Sequence, residues 1–175
     1  MDNIYYKYNI LLNIKKLKGY KYKFQHNWTI WYHKIYDTNW NIKSYKKFYT
    51  FNNIMSFWKL YNNFPIFNNY MFFLMKNDIE PRYEAIQNKF GGYWSLKIDK
   101  NNYFNIWQKL TIDLITNNLE NKFNIITGLY IIKKKHFYII KIWIKNKKYN
   151  NKKYLNLNDK IYNKYIKQMI YSNFF

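Results

Sequence analysis

Cysteine and valine are absent from the 175 residues, and alanine and arginine occur once each, as Ala85 and Arg82. Without cysteine there is no disulfide framework, no thiolate metal knuckle and no thiol nucleophile, and a reducing compartment is permitted. The histidines are His26, His33 and His136. They share no ligand spacing, which reads as scattered surface imidazoles rather than a zinc or iron centre, and no cofactor is expected. Carboxylates are scarce, nine against 30 basic side chains. No acidic cluster for a divalent cation and no glycine-rich phosphate loop is visible, so group transfer and hydrolysis lack their usual equipment. The apolar stretch within Met1 to Lys16 is too short to span a bilayer and too rich in tyrosine and asparagine for a signal sequence. Asp2 and the lack of arginine there argue against a mitochondrial leader. A cytoplasmic protein without a membrane segment is expected.

What fills the chain is isoleucine, asparagine, lysine, tyrosine and phenylalanine, whose codons need only A and T. The formal charge of +21 therefore carries two readings: lysines that neutralise nucleic-acid phosphates, and lysines gathered by mutational drift on a solvated surface. Charge alone does not choose between them. Tryptophan is more telling, because its codon contains G and seven of them persist.

Residues 1–24 read as an N-terminal arm and 25–175 as a single domain, long enough to bury its own core and without a repeat at a period of about 20 to 50 residues. Trp28 to Lys34, Ser44 to Phe51 and Tyr70 to Met75 have strand composition. Between the last two, Asn52 can cap a helix on which Ile54, Phe57, Trp58 and Tyr61 recur at helical spacing, with Pro65 beyond its end. After Gly91-Gly92 come a strand over Tyr93 to Asp99 and the longest helix, Asn102 to Leu119. That helix has two apolar stripes, Trp107, Leu110 and Leu114 in one, and Ile112, Ile115 and Leu119 with Gln108 in the other; one suits a core and one a partner. Ile125 to Ile132 and Phe137 to Ile144 flank Lys133-Lys134-Lys135-His136 as a hairpin with a basic tip. Asn158 to Tyr171 reads as a closing helix capped by Asn158 or Asp159. Strands and helices mix without a βαβ rhythm, which predicts an α+β fold with an antiparallel sheet and helices on one side.

The segments Asn27-Trp28-Thr29-Ile30-Trp31-Tyr32, Phe57-Trp58-Lys59-Leu60-Tyr61, Ile79-Glu80-Pro81-Arg82-Tyr83-Glu84 and Lys89-Phe90-Gly91-Gly92-Tyr93-Trp94 together resemble the translation initiation factor 4E family of mRNA cap-binding proteins. The resemblance runs from about Gln25 to Lys145. It implies a curved antiparallel sheet of about seven or eight strands, with about three helices on the convex face and a cap slot on the concave side. In that slot 7-methylguanosine would lie between Trp40 and Tyr83, the tyrosine standing where relatives carry a tryptophan. Glu84 would read the guanine edge and Trp143 would touch the N7-methyl group. Lys134 matches a family arginine on the cap phosphates. The family's lysine on the next strand aligns with Ile139, so either Lys141, on the strand face of Trp143, substitutes from a shifted position or the phosphate grip is weaker.

The chemistry suits these residue types. Methylation at N7 makes guanine cationic, so two electron-rich rings stack on it with a cation–π gain of about 0.5 to 2 kcal/mol. A carboxylate can accept from both N1–H and the 2-amino group, a donor pair that adenine lacks. Lysines serve phosphates as point charges, without the fork of arginine.

The resemblance also implies a 4G-type scaffold factor, or a helical Tyr-x-x-x-x-Leu-Φ peptide, docking on Trp58 with Ile54 and Ile112 beside it. Gln108 and Lys109 replace a leucine and a glutamate there, and the reversed charge at Lys109 predicts an altered scaffold sequence. The chain ends soon after the last predicted helix, which leaves the family's C-terminal strand and cap-side loop shortened or remodelled. The expectation is a non-enzymatic protein, monomeric alone, that recruits capped mRNA for translation, divergent and from an AT-rich virus or protist. A 4E-like repressor and a general basic RNA-binding module are the competing readings.

Overall fold

The computed structural model describes residues 22–64, 69–121 and 124–175. All but the last three residues of the N-terminal arm lie outside them, as does Pro65. Strands β1 (Lys23–Lys34), β2 (Lys46–Asn53), β3 (Tyr70–Lys76), β4 (Gly92–Asp99), β5 (Ile126–Lys133), β6 (Phe137–Ile144) and β7 (Ile170–Asn173) form one antiparallel sheet in the order β2-β1-β3-β5-β6-β4-β7. The sheet is curved and unclosed, and helices α1 (Ile54–Asn62), α2 (Tyr103–Ile115) and α3 (Asn163–Ile166) pack on its convex face.

Alternation along each strand decides what faces where. Ile30, Leu74, Ile131, Ile142 and Leu96 turn toward the helices and meet Phe57, Leu60, Trp107, Leu110 and Leu114. Each such fully buried side chain contributes about 1.5 to 3 kcal/mol. The opposite face carries a second, smaller cluster of Trp31, Tyr45, Met71, Phe73, Met75, Ile132 and Trp143. Burial on both faces is why β3 reads as a continuous apolar run rather than an alternating one.

Three local expectations are corrected. The first helix is capped by Asn53, not Asn52; the Asn53 side chain accepts from the Ser56 amide at 2.9 Å. The long helix stops at Ile115, because Asn117 turns left-handed (φ 59°) and the amides of Asn118 and Leu119 both close on the Asp113 carbonyl. Its second stripe is therefore mostly core: Ile115 and Leu119 are buried, and Ile112 with Gln108 is half-buried.

The third correction concerns Asn158 to Tyr171. Asp159 caps only a short 3-10 turn, α3 lasts four residues, and the chain then extends as β7 along the free edge of β4, from Ser95↔Ile170 to Gly92↔Asn173. The helical look of the segment came from Tyr162 and Tyr165, whose hydroxyls reach inward to Asp113 (2.7 Å) and Asp99 (2.8 Å). A C-terminal strand is thus present. Gly91, just before β4, admits no side chain, since a Cβ there would collide with the Ile144 carbonyl oxygen.

Candidate functional site

Two loops rise beside the concave cluster. The β1–β2 loop carries Trp40, whose indole lies parallel to the His33 imidazole, with centroids 4.7 Å apart and planes 5° apart. His33 is fully buried, contrary to the expectation of a surface histidine, because carbonyl groups and a hydroxyl of its own loop satisfy it. Tyr45 packs against the same imidazole at 4.7 Å and against Phe73 at 5.4 Å.

The β3–β4 loop is shaped by its polar residues. Arg82 donates to the Glu80 carboxylate through Nε and Nη2, and the buried Asn88 side chain donates to the carbonyls of Glu80 (3.1 Å) and Arg82 (2.8 Å). Pro81 is buried within this turn, which leaves Tyr83 and Glu84 on the outside. Tyr83 stacks on Phe174 (4.9 Å, 23°) and leans on Trp143 (5.3 Å).

Between the loops lies a cavity of about 260 Å³. Trp40 stands on one loop and Tyr83 on the other, Met71, Phe73 and Tyr130 rise from the sheet, and Tyr45, Arg82 and Glu84 complete the lining. Trp40 is 54% exposed and Tyr83 40%, so neither ring is spent on the core. The Glu84 carboxylate has no hydrogen-bond or ion-pair partner among the described residues. Burial raises the phenols of Tyr45, Tyr130 and Tyr83, with neighbouring phenols adding to it and the Glu84 charge acting on Tyr45 and Tyr83. These phenols stay neutral at physiological pH and can donate, which suits binding rather than proton transfer. Among the described residues no group of His, Asp or Glu could hold a metal ion, and no helix is long and apolar enough to cross a membrane.

The structure thus brings Trp40, Tyr83 and Glu84 together. Trp143 is 1% exposed and lies under Tyr83 and Phe174, outside the cavity lining. Lys141 shares the concave face, its ammonium 3.8 Å from the Tyr93 ring centroid and 5.5 Å from that of Tyr130. Lys134 is exposed at the hairpin tip, where its amide donates to the Phe137 carbonyl, and is not among the lining residues. Sequence reasoning missed Tyr45, Phe73, Tyr130, Arg82, His33 and Phe174. Strand alternation groups Phe73 with Met71, but does not say which face curves inward.

Ile54, Trp58, Gln108 and Ile112 are half-buried on α1 and α2. The two helices are joined by a hydrogen bond from the Tyr61 hydroxyl to Thr111 Oγ1 at 2.7 Å. These residues lie across the sheet from the cavity.

The family model described as eukaryotic initiation factor 4E matches residues 23–172. No curated protein matches the chain. Among solved structures, Ascaris suum eIF4E-3 with m7G cap is similar at 21% identity and TM-score 0.69, over 88% of this chain and 92% of that one. C. elegans eIF4E-3 with the 4E-binding protein Mextli and cap analog is similar at 21% identity and TM-score 0.66, over 73% and 76%. Schistosome eIF4E complexed with m7GpppG and 4E-BP is similar at 18% identity and TM-score 0.68, over 75% and 76%. At such identities the likeness is one of fold.

Proposed function

Because the chain belongs to the eukaryotic initiation factor 4E family, we propose that it binds the 7-methylguanosine cap of mRNA and, through a scaffold partner, recruits that mRNA for translation in the cytoplasm. The observation that carries this reading is the cavity shared by two exposed aromatic rings, Trp40 and Tyr83, and the open carboxylate of Glu84. A cationic base between the rings gains stacking and cation–π energy, and Glu84 takes its two edge donors while balancing its charge. The site is one of recognition. No nucleophile is paired with a base among the residues that line the cavity, and the family is a non-enzymatic one, so this chain is read as a binder and not an enzyme.

The phosphates would follow the concave face toward Lys141, with Lys134 at the hairpin tip as the second cation. Contact between Trp143 and the N7-methyl group requires Tyr83 to lift from the indole it covers. The similar structures are complexes with cap analogs and 4E-binding proteins, which supports the partner class. Here the partner would be a 4G-type factor or a Tyr-x-x-x-x-Leu-Φ helix seated on Trp58, Ile54 and Ile112. The test is retention on immobilised 7-methyl-GTP: the wild type should be retained and Trp40→Ala lost, with a deficit of about 1 to 3 kcal/mol for one stacking platform. Equal retention of both would remove the assignment.

A further inference from the structure

We infer that His33 is a positioning residue of the cap slot, whose buried imidazole holds the Trp40 indole in place so that a base stacks on the opposite face. The inference rests on the cap-binding reading and concerns a residue that would not itself touch the cap.

His33 ends the concave side of β1 with no exposed surface, and a buried imidazole needs partners for both nitrogens. Nδ1 lies 2.8 Å from the Lys34 carbonyl oxygen. Nε2 lies 2.9 Å from the Asn39 carbonyl oxygen and 3.0 Å from Ser44 Oγ. A carbonyl only accepts, so Nδ1–H donates to Lys34 in one tautomer and Nε2–H donates to Asn39 in the other, while the Ser44 hydroxyl can give or take a proton at Nε2. Asn39 directly precedes Trp40. The imidazole therefore lies against the peptide group that carries the tryptophan as well as flat on its ring.

The surroundings fix the imidazole in turn. Tyr45 packs on it at 51°, the Asp37 carboxylate lies 4.0 Å from Nε2, and its strand neighbour on β3 is the apolar Met71. Trp40 remains half exposed with one face already covered by the imidazole. Its free face is the far one. The order of the indole is then established in folding rather than at binding, and preorganisation of this kind appears as affinity. A side chain of equal bulk without a flat face would fill the same space and leave the indole free to tilt.

The comparison of His33→Leu with His33→Phe separates the two roles, since both fill the volume and only phenylalanine offers a flat face. Tryptophan quenching by 7-methyl-GTP gives the affinity, and thermal unfolding followed by circular dichroism checks the fold. His33→Leu should bind about tenfold more weakly than wild type, and His33→Phe should return to within about threefold of it. In a Trp40→Ala background, His33→Leu should cause no further loss. Wild-type affinity in His33→Leu, equal losses in both variants, or failure of both to fold would each overturn the inference. If instead Trp40→Ala binds as wild type does, it is the cap-binding reading that fails, and this inference with it.

Discussion

The ammonium of Lys109 lies 2.7 Å from both carboxylate oxygens of Asp113, one turn further along α2. Asp159 approaches it at 3.3 Å, and the Tyr162 hydroxyl donates to the same Asp113 carboxylate. The charge at Lys109 is therefore neutralised inside the protein, and the expectation that it repels an ordinary scaffold loses its basis. Lys109→Glu would set a third carboxylate against two others and should destabilise the fold by about 2 to 4 kcal/mol in urea unfolding, without tightening a Tyr-x-x-x-x-Leu-Φ peptide. Burial lowers the Lys109 ammonium, but Asp113 and Asp159 outweigh it and the net shift is upward. A raised lysine stabilises fully below its unfolded value, so this contribution is intact at pH 7 and fades above about pH 10.

Lys76 and Glu120 form a second internal pair, 3.7 Å apart with each side chain 6% exposed. The Glu120 carboxylate also accepts the Ile125 amide, and Lys76 donates to the Asn124 side chain. Lys76→Met would leave a buried carboxylate without its cation and should cost about 3 to 5 kcal/mol in chemical denaturation. Lys76→Met combined with Glu120→Gln should recover most of that loss, because the desolvated charge goes too.

Asp99 ties α3 to β4. Burial alone would raise its carboxyl, but Lys164, Tyr165 and Asn102 hold it at about 2. A depressed carboxyl stabilises above its unfolded value, near pH 3.9, and the contribution disappears as pH falls toward about 2. Urea midpoints between pH 5 and pH 2 should fall less steeply in Asp99→Asn than in the wild type. Identical slopes would show that this carboxylate is not differentially protonated on unfolding.

Trp58 packs edge-on against Phe57 at 5.0 Å and stays half-buried on α1, away from the cavity. Trp58→Ala should lose about 2 kcal/mol or more of affinity for a scaffold peptide in isothermal titration while leaving 7-methyl-GTP binding unchanged. Parallel loss of both would make Trp58 part of the core.

Much of this arrangement is legible in the sequence, and the reasons are physical. The sequence marks β3 to within one residue because a run of apolar side chains at strand length has few other uses. The β5–β6 hairpin announced itself by a lysine-rich break between two isoleucine-rich strands. Trp40 stands out as an aromatic in a polar loop, where no periodicity explains it, whereas Tyr83 is picked out by the family resemblance and not by its own segment. The β7 strand did not, because Tyr162 and Tyr165 imitate a helical stripe while serving as hydrogen-bond donors to distant aspartates. His33 was equally silent, since its burial depends on carbonyl groups that only the folded loop assembles. The inward curvature that gathers Phe73 and Tyr130 under Trp40 is a property of the whole sheet, not of any segment within it.

Binding of 7-methyl-GTP and GTP to the wild type and to Glu84→Gln, measured side by side by fluorescence titration, tests the central claim most directly. The wild type should prefer the methylated nucleotide by at least about tenfold, since only the methylated ring adds a cation between Trp40 and Tyr83. Glu84→Gln should bind 7-methyl-GTP far more weakly, because one acceptor becomes a donor facing guanine donors. Equal affinity of the wild type for the two nucleotides, or an unchanged affinity in Glu84→Gln, would contradict the account.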